Sequence, residues 1–200
     1  AVAWTNKGYV LASMGRYEEA LEAYNISLEL NPRQANIWGY QASALVAVSR
    51  FDEAVLAAEK ELELNPQNFR ALTAKGEALT NLKKYDEAAA IFREASKLNP
   101  SSVTTWLNLG YVLFATKDYE DANDAFQHAL EIKPDDSQAW RYKVSSLIAL
   151  GRGGEAVRYY DGELSEDPNN TVALMNKGYA LHQMKQYQDA ITIFDKVIGL

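Results

Sequence analysis

The side chains best suited to chemistry are too scattered in this sequence to form an active site. The two histidines, His128 and His182, fall on helices of different repeats, so they do not form a cluster of metal ligands. The glycine-rich segment Gly151–Gly154 lacks the Lys-Ser/Thr ending of a phosphate-binding loop. Asp135 and Asp136 do not continue into a calcium-binding loop. The sequence therefore predicts no catalysis, no metal site and no cofactor.

Charge and composition narrow the classes of partner. The chain has 27 acidic and 20 basic residues, and its formal charge of −7 opposes binding to nucleic acid or anionic lipid. No apolar run approaches the roughly 20 residues that span a bilayer, and the first residues do not form a secretory signal. The chain has no cysteine, which excludes disulfides and suits a reducing compartment. We expect a cytoplasmic protein that binds neither nucleic acid nor membranes.

The residues that could bind a partner protein are positioned by a repeat. Five prolines follow one another at intervals of 34 residues: Pro32, Pro66, Pro100, Pro134 and Pro168. At this period six repeats align without a gap, over residues 1–34, 35–68, 69–102, 103–136, 137–170 and 171–200, the last being shorter. Repeat 1 has Trp4, Gly8, Leu11, Tyr17, Ala20, Tyr24 and Pro32 where repeat 4 has Trp106, Gly110, Leu113, Tyr119, Ala122, Phe126 and Pro134. Positions are numbered below from the first residue of each repeat.

This pattern resembles the tetratricopeptide repeat (TPR) along the whole chain. The resemblance implies an all-α fold, a right-handed superhelix (α-solenoid) of antiparallel helix pairs. The residues agree, because the apolar side chains of each repeat recur at helical spacing in two stretches. In repeat 1 these stretches predict helices from about Val2 to Met14 and from about Tyr17 to Leu30. Pro32 ends the second helix, since proline lacks an amide proton.

Several positions have an expected role in packing. Gly8 and Ala20, with their equivalents, should let the two helices of a repeat approach closely. The four tryptophans, Trp4, Trp38, Trp106 and Trp140, share one repeat position and are assigned to the core rather than to binding. Repeat 5 has Val144 where most repeats have glycine, and it has Gly162 inside its second helix. We expect repeat 5 to be the most distorted or mobile.

Besides the period of 34 residues, the sequence has a longer period of three repeats. Repeats 1 and 4 share Asn-x-Gly-Tyr-Val-Leu, and repeats 3 and 6 share Ala-Leu-x-x-Lys-Gly. Repeats 2 and 5 have Glu61 and Glu163 where other repeats have a small residue, and each is followed by a lysine, Lys75 or Lys177. One hypothesis is that these residues form two equivalent ion pairs between repeats, because a buried carboxylate needs a partner. The alternative is that the lysines are solvated.

The TPR resemblance implies that the protein binds other proteins or peptides in a groove lined by the first helices. The residues of the expected groove are Asn6, Tyr9, Asn36, Tyr40, Arg70, Asn108, Tyr111, Arg141, Tyr142, Asn176 and Tyr179. No run of three repeats supplies the clamp with which chaperone-adaptor TPR domains grip a terminal carboxylate. Asn6, Asn108 and Asn176 match the asparagine ladder of the O-linked N-acetylglucosamine transferase superhelix, in which amide side chains bind a peptide backbone.

Three functions remain open at this stage. The first is a non-enzymatic interaction scaffold that binds an extended peptide or a helix in the groove. The second is a structural solenoid that stacks end to end, because Ile191, Phe194 and Ile198 on the last helix have nothing to cover them. These residues also suggest self-association, or a fragment of a longer protein. The third is the docking arm of a larger enzyme. Alternatively, the asparagines only solvate the face and the tyrosines only pack on neighbouring helices.

Overall fold

The protein is helical throughout the part of the chain that the structure describes, residues 1–34 and 36–200 of a computed structural model. The expected start of repeat 2 at Ala35 lies outside the described residues. The helices are α1 (Val2–Ser13), α2 (Tyr17–Leu30), α3 (Ile37–Ala47), α4 (Phe51–Leu64), α5 (Phe69–Asn81), α6 (Tyr85–Leu98), α7 (Val103–Ala115), α8 (Tyr119–Ile132), α9 (Ser137–Ala149), α10 (Gly153–Glu166), α11 (Thr171–Gln183) and α12 (Tyr187–Ile198). The described residues contain no strand, which confirms the all-α prediction.

The chain divides into two compact units, an N-terminal unit (Ala1–Ser101) and a C-terminal unit (Ser102–Leu200). Each unit contains three of the sequence repeats, so the division coincides with the three-repeat period. In the N-terminal unit the first helices α1, α3 and α5 contact one another in order, and α7, α9 and α11 do so in the C-terminal unit. Within each unit the second helices contact the first helix of the following repeat, as α2 contacts α3 and α8 contacts α9. This packing agrees with the solenoid of helix pairs that the TPR resemblance implies.

A left-handed residue at repeat position 15 ends every first helix. Its φ lies between 60° and 76° at Gly15, Ser49, Lys83, Lys117, Gly151 and Lys185. The next backbone N–H then donates back to the carbonyl of position 11, as from Arg16 to Leu11 at 2.9 Å. Such a bond satisfies a carbonyl that the helix end leaves free and turns the chain toward the second helix. The turn is therefore set by backbone geometry, and four of the six turns form it without glycine.

The glycine at repeat position 8 makes room for an aromatic ring of the second helix. A Cβ atom on Gly8 would lie 2.5 Å from Tyr24, and one on Gly110 would lie 2.5 Å from Phe126. The same relation holds for Gly76 with Phe92 and for Gly178 with Phe194. The close approach was expected, but the nearest partner of the glycine is this ring rather than the alanine at position 20. That alanine is nevertheless fully buried, as at Ala20.

Repeat 5 departs from the other repeats at two places. Val144 replaces the glycine and is buried together with Tyr160, whose hydroxyl has no hydrogen-bond partner. Arg152, at the start of α10, has ψ of 19°, whereas Arg50 at the start of α4 has ψ of 67°. The distortion expected for this repeat is visible at the start of α10, and α10 still has the 14 residues of α4. The expected mobility stays a prediction.

Polar side chains join successive repeats through positions 25 and 7. Lys75 forms an ion pair with Glu59 at 2.9 Å, and Lys177 forms one with Asp161 at 2.5 Å. At the same two positions Gln41 donates to Asn25, and Lys143 donates to Gln127. The predicted pairs of Lys75 with Glu61 and of Lys177 with Glu163 are therefore wrong. The carboxylate that each lysine reaches is two residues earlier, because position 25 faces the next repeat whereas position 27 faces the first helix of its own repeat.

Glu61 instead caps the helix that precedes it in its own repeat. Its carboxylate is fully buried and accepts hydrogen bonds from the backbone N–H groups of Asn36 and Gly39 at 3.1 and 3.3 Å. The amide of Asn68 donates to the same carboxylate at 2.8 Å. The N-terminus of α3 lacks a side-chain cap of its own. Negative charge at a helix N-terminus satisfies free N–H groups and the helix dipole together, which explains a buried carboxylate without a cation.

Glu163 occupies the equivalent position in repeat 5 but plays no such role. It is exposed, and it accepts a hydrogen bond from the hydroxyl of Tyr159 at 2.9 Å. Helix α9 is already capped by Asp136, whose side chain accepts from the N–H groups of Gln138 and Ala139. A local cap therefore makes the remote carboxylate unnecessary, and the same residue type has a different role in the two repeats.

The tryptophans pack as expected and also link repeats. Trp140 is 7% exposed, and the other three tryptophans are half-buried against the cores of their units. The indole N–H of Trp38 donates to the carbonyl of Pro32 at 3.1 Å, and that of Trp140 donates to Pro134 at 2.8 Å. Each bond holds a first helix to the end of the previous repeat.

Replacing Glu61 by alanine should lower the free energy of unfolding by about 3 kcal/mol, because the buried N–H of Gly39 and the partly buried N–H of Asn36 would lose their acceptor. Glu163→Ala is the matched control and should cost less than about 1 kcal/mol, since Glu163 is exposed. Urea denaturation followed by circular dichroism measures both. Equal losses in the two variants would contradict the capping role of Glu61.

Two glycine-to-alanine changes should have opposite signs. Gly110→Ala should destabilise the protein by about 1–3 kcal/mol, since its Cβ would lie 2.5 Å from Phe126. Gly162→Ala should stabilise it by about 0.5–1 kcal/mol, because this helix-interior glycine has nothing within 4 Å of an added Cβ. Thermal unfolding gives both values. A stabilising Gly110→Ala would show that the ring of Phe126 can move aside.

Candidate functional site

The exposed sides of the first helices carry most of the predicted binding residues. We call this surface the first-helix face of each unit. In the N-terminal unit it is defined by Asn6, Tyr9, Tyr40 and Arg70, and in the C-terminal unit by Asn108, Tyr111, Arg141, Tyr142, Asn176 and Tyr179. Tyr9 is 51% exposed and Tyr111 is 38% exposed, which places aromatic surface in contact with solvent. An aromatic side chain with a polar tip is well suited to contact with another protein.

The same aromatic cluster occurs once in each unit. Tyr9 packs edge-on against Tyr40 with ring centroids 5.6 Å apart, and Tyr111 packs edge-on against Tyr142 at 5.9 Å. Tyr40 is in turn stacked on Tyr24 at 6.1 Å.

Tyr142, the equivalent of Tyr40 in the C-terminal unit, is stacked on Phe126 with ring centroids 5.3 Å apart. The ring beneath each cluster is therefore the one that fills the space beside the glycine at repeat position 8. Burial raises the pKa of Tyr24 to about 12, so its hydroxyl stays protonated. The helix pair thus fixes the exposed tyrosine through two successive aromatic contacts, and packing and surface chemistry are not independent here.

Each first-helix face also carries an arginine beside a tyrosine. The guanidinium carbon of Arg70 lies 4.7 Å from the ring centroid of Tyr40, and that of Arg141 lies 5.8 Å from the ring centroid of Tyr179. These distances are in the range of cation–π interactions. The pairs join successive first helices, α3 with α5 and α9 with α11.

A cavity of about 350 Å³ opens on the first-helix face of the C-terminal unit. It is lined by Ser137, Gln138, Arg141, Tyr142 and Ser145 of α9 and by Tyr179 of α11. Its size is within the range of sites that hold a few side chains of a ligand, and its lining combines two rings with hydroxyl, amide and guanidinium groups. Ser137 was not among the residues predicted from the sequence. Its position at the first turn of α9, beside the Asp136 cap, is the signal that could have identified it.

The predicted asparagines differ in their surroundings. Asn6 is exposed on α1, whereas Asn108 and Asn176 are half-buried. Asn36 is not on the helical face. It is the N-cap of α3, with φ of 70°, and its side-chain oxygen accepts a hydrogen bond from Asn68 at 2.9 Å. Asn36 therefore belongs to the network around Glu61, and its contribution to a binding surface is limited by that bond.

A second set of cavities, which sequence reasoning missed, recurs between successive repeats. One of about 240 Å³ is bounded by α2, α3 and α4, and its lining includes Trp38, Gln41 and Arg50. Another, of about 230 Å³, is bounded by α8, α9 and α10 and has Trp140, Lys143 and Arg152 at the same repeat positions. The arginine in each links two repeats, since Arg50 contacts Glu18 and Glu53, and Arg152 contacts Glu120 and Glu155. These cavities lie above inter-repeat contacts, so their lining residues already have structural partners.

Each histidine lies beside an aromatic ring, and His128 also contacts one carboxylate. His128 lies 4.5 Å from the ring of Trp106 and 3.1 Å from Glu131, and His182 lies 5.6 Å from the ring of Tyr187. Over residues 1–34 and 36–200 no group of three or more His, Cys, Asp or Glu side chains is arranged to hold a metal ion. Within the same ranges no helix has both the length and the apolar character that crossing a membrane requires.

Comparison with protein families gives matches along nearly the entire chain. A family profile described as tetratricopeptide repeat matches residues 41–103, 73–137, 107–171 and 143–200, and a second profile with the same description matches residues 1–34. No curated protein sequence matches at a significant level.

Solved structures with similar folds include several repeat proteins. YrrB, described as a TPR protein with an unusual peptide-binding site, is 24% identical, has a TM-score of 0.69, and the match covers 90% of this chain and 92% of YrrB. MamA from AMB-1 is 24% identical with a TM-score of 0.71, and the match covers 82% of this chain and 98% of MamA. A tetratricopeptide repeat protein from Parabacteroides merdae ATCC 43184 is 16% identical with a TM-score of 0.74, and the match covers 98% of this chain and 78% of that protein. At these identities the likeness establishes the fold.

Proposed function

The chain belongs to the tetratricopeptide repeat family, and we propose that it is an interaction scaffold whose first-helix face binds an extended peptide or a helix of a partner protein. Proteins of this family are typically non-enzymatic scaffolds, and the proposal assigns no catalytic step to the chain. The proposal places the interaction in the cytoplasm. The absence of cysteine from the chain is compatible with that compartment.

The observation that carries the proposal is the cavity of about 350 Å³ between α9 and α11. It is lined by Arg141, Tyr142 and Tyr179, which the TPR resemblance had indicated as residues of the groove. Rigid rings supply contact area with little loss of side-chain entropy, and hydroxyl and amide groups around them can pair with a peptide backbone. YrrB, which has a similar fold, is described as having a peptide-binding site.

The aromatic clusters support the same proposal. Tyr9 and Tyr111 remain exposed although they are held in place by Tyr40 and Tyr142. A surface side chain that is already ordered loses less entropy on binding than a mobile one. Asn6 adds an exposed amide to the same face of the N-terminal unit, and Asn176 adds a half-buried one in the C-terminal unit. These groups favour recognition of a polypeptide.

The test is selection of random displayed peptides against the chain, followed by affinity measurement with the selected peptides. Tyr179→Ala, on the first-helix face, should weaken binding roughly tenfold or more, since buried aromatic anchors contribute about 2 kcal/mol or more. Tyr187→Ala is the matched control: Tyr187 is 55% exposed and lies in the same unit on α12, so its loss should leave the affinity unchanged. Failure to select any peptide, or equal loss in both variants, would contradict the proposal.

A second candidate function is self-association through α12. On this helix Ile191 is 50% exposed and Ile198 is 83% exposed. The residues equivalent to Ile198 in two earlier repeats, Leu28 and Leu130, are both 5% exposed because the following repeat covers them. The apolar side of α12 therefore has the character of an inter-repeat surface, and a second copy of the chain is the proposed occupant.

Sedimentation equilibrium over a range of concentrations tests this second candidate. The chain should show a mass above that of the monomer as concentration rises, and Ile198→Glu should shift the equilibrium toward monomer by roughly tenfold or more, because it places a charge in an apolar contact. Leu56→Glu, at a leucine that is 60% exposed on α4, is the control and should leave the mass unchanged. A monomer at all concentrations would refute self-association.

A further inference from the structure

We propose that the first-helix face of each unit binds an acidic segment, and that an aspartate or glutamate carboxylate of the segment is bound by Arg70 in the N-terminal unit and by Arg141 in the C-terminal unit. This inference rests on the proposed function, because it specifies the chemistry of the peptide that the same face would take. It goes further by naming the two anchoring residues, one in each compact unit, and the group that each of them recognises.

The first argument is that, among the described residues, these two arginines lack the carboxylate partner that Arg16, Arg50 and Arg152 have. Arg33 and Arg158 lack such a partner too in that part of the chain, but they lie outside the first helices. Arg16, Arg50 and Arg152 each bind a glutamate three residues later in the chain, with N–O distances between 2.5 and 2.7 Å. Across residues 1–34 and 36–200 neither Arg70 nor Arg141 has a carboxylate within 4 Å of its guanidinium nitrogens. In a chain with 27 acidic residues, two arginines on the proposed binding face are therefore left without an internal carboxylate.

The second argument comes from how the two guanidinium groups are held. Both lie beside a tyrosine ring, Arg70 by Tyr40 and Arg141 by Tyr179. A cation–π contact is not a hydrogen bond, so it leaves the N–H groups of the guanidinium available as donors. Those donors form a fork that matches the two oxygens of a carboxylate. The tyrosine thus restricts the arginine without using its hydrogen-bonding capacity.

The third argument is the composition of the cavity beside Arg141. Arg141 is the only charged residue among those that line it. The remaining lining groups are the hydroxyls of Ser137 and Ser145, the amide of Gln138 and the rings of Tyr142 and Tyr179. A carboxylate entering this cavity meets one positive charge and several hydrogen-bond donors and no negative charge. A lysine or arginine of a partner would meet an unfavourable charge in the same place.

The net charge of −7 opposes the approach of an acidic partner at long range, but it does not prevent an acidic segment from binding at close contact. At physiological ionic strength charges are screened beyond about 8 Å, so distant carboxylates act weakly on a bound peptide. A direct contact with the exposed Arg141, beside Tyr179 and Tyr142, is much shorter than this distance. The local arginine therefore outweighs the global charge, while the global charge slows the approach of acidic partners.

The experiment starts from the random displayed peptides selected against the whole chain. Peptides that bind should be enriched in Asp and Glu relative to the unselected library. Replacing their acidic residues by Asn or Gln should weaken binding roughly tenfold or more, as expected for loss of a charge-assisted hydrogen bond. Arg141→Gln should produce a similar loss for acidic peptides that bind the C-terminal unit, and Arg70→Gln should do so for those that bind the N-terminal unit.

Charge reversal separates direct contact from a general effect of charge. Arg141→Glu should bind the original peptide least, and a peptide in which one acidic residue is changed to Lys should recover binding to this variant only. Arg158→Gln is the matched control, because it removes the same charge from an exposed position of the same unit on α10. It should change the affinity less than twofold.

The outcomes distinguish this inference from the proposed function. Selection of peptides without acidic enrichment, whose binding is still lost in Tyr179→Ala, would overturn the acidic partner and leave the binding face intact. Equal losses in Arg158→Gln and Arg141→Gln would also overturn it, since only net charge would then matter. Failure to select any peptide would contradict the proposed function itself.

Discussion

The close approach of the two helices in repeats 1, 3, 4 and 6 is the constraint on which much of this structure depends. At repeat position 8 the backbone of the first helix lies against a ring of the second helix, so that a Cβ atom at Gly8, Gly76, Gly110 or Gly178 would lie within 2.6 Å of that ring. Only glycine fits there without movement of the ring. The contact fixes the distance between the helices, and through it the positions of all side chains that the pair presents to its neighbours.

The exposed aromatic clusters follow from this constraint. Tyr24 and Phe126 fill the space beside Gly8 and Gly110, and each of these rings in turn supports a tyrosine of the next first helix, Tyr40 or Tyr142. Those tyrosines hold Tyr9 and Tyr111 at the surface. A binding face is thus built outward from a packing contact. Its rigidity has a physical origin, since every ring in the series touches another that is more deeply buried.

Polar side chains at the same two repeat positions join successive repeats, although the residue types at these positions differ. Positions 25 and 7 carry an amide pair at Asn25 and Gln41 and an ion pair at Glu59 and Lys75. Ion pairs of this exposure contribute little to stability, about 1 kcal/mol or less. Their value lies in orientation, because a wrong register between repeats would leave each group without its partner. Apolar burial supplies most of the stability, and these polar contacts select one arrangement.

The fold was largely predictable from the sequence, because it depends on local periodicity repeated many times. The interval of 34 residues, the two apolar stretches and the proline stops predicted the helix pairs to within a residue or two, as in α1 and α2. The same pattern recurs in every repeat, so an irregular residue in one repeat does not obscure the pattern. The division into two compact units was not predicted, and it falls close to the boundary between repeats 3 and 4.

Side-chain partners were less predictable, because they depend on where a helix face points and on what else is already satisfied. Glu61 and Glu163 share one repeat position, yet only Glu61 is buried, since α3 lacks a cap and α9 has Asp136. Lys75 reaches Glu59 rather than Glu61 because a shift of two residues turns a side chain to a different face of the helix.

The sequence by itself determined the repeat, the all-α fold and the first helices as the elements that carry exposed tyrosine, asparagine and arginine. Only the tertiary structure decided which of these residues have partners. It showed that Asn36 is bound by Asn68, and it placed Arg141 beside Tyr179 in a cavity that no acidic side chain lines. The reason is physical: periodicity fixes which residues share a face, but contacts between helices depend on distances that only the packed chain defines.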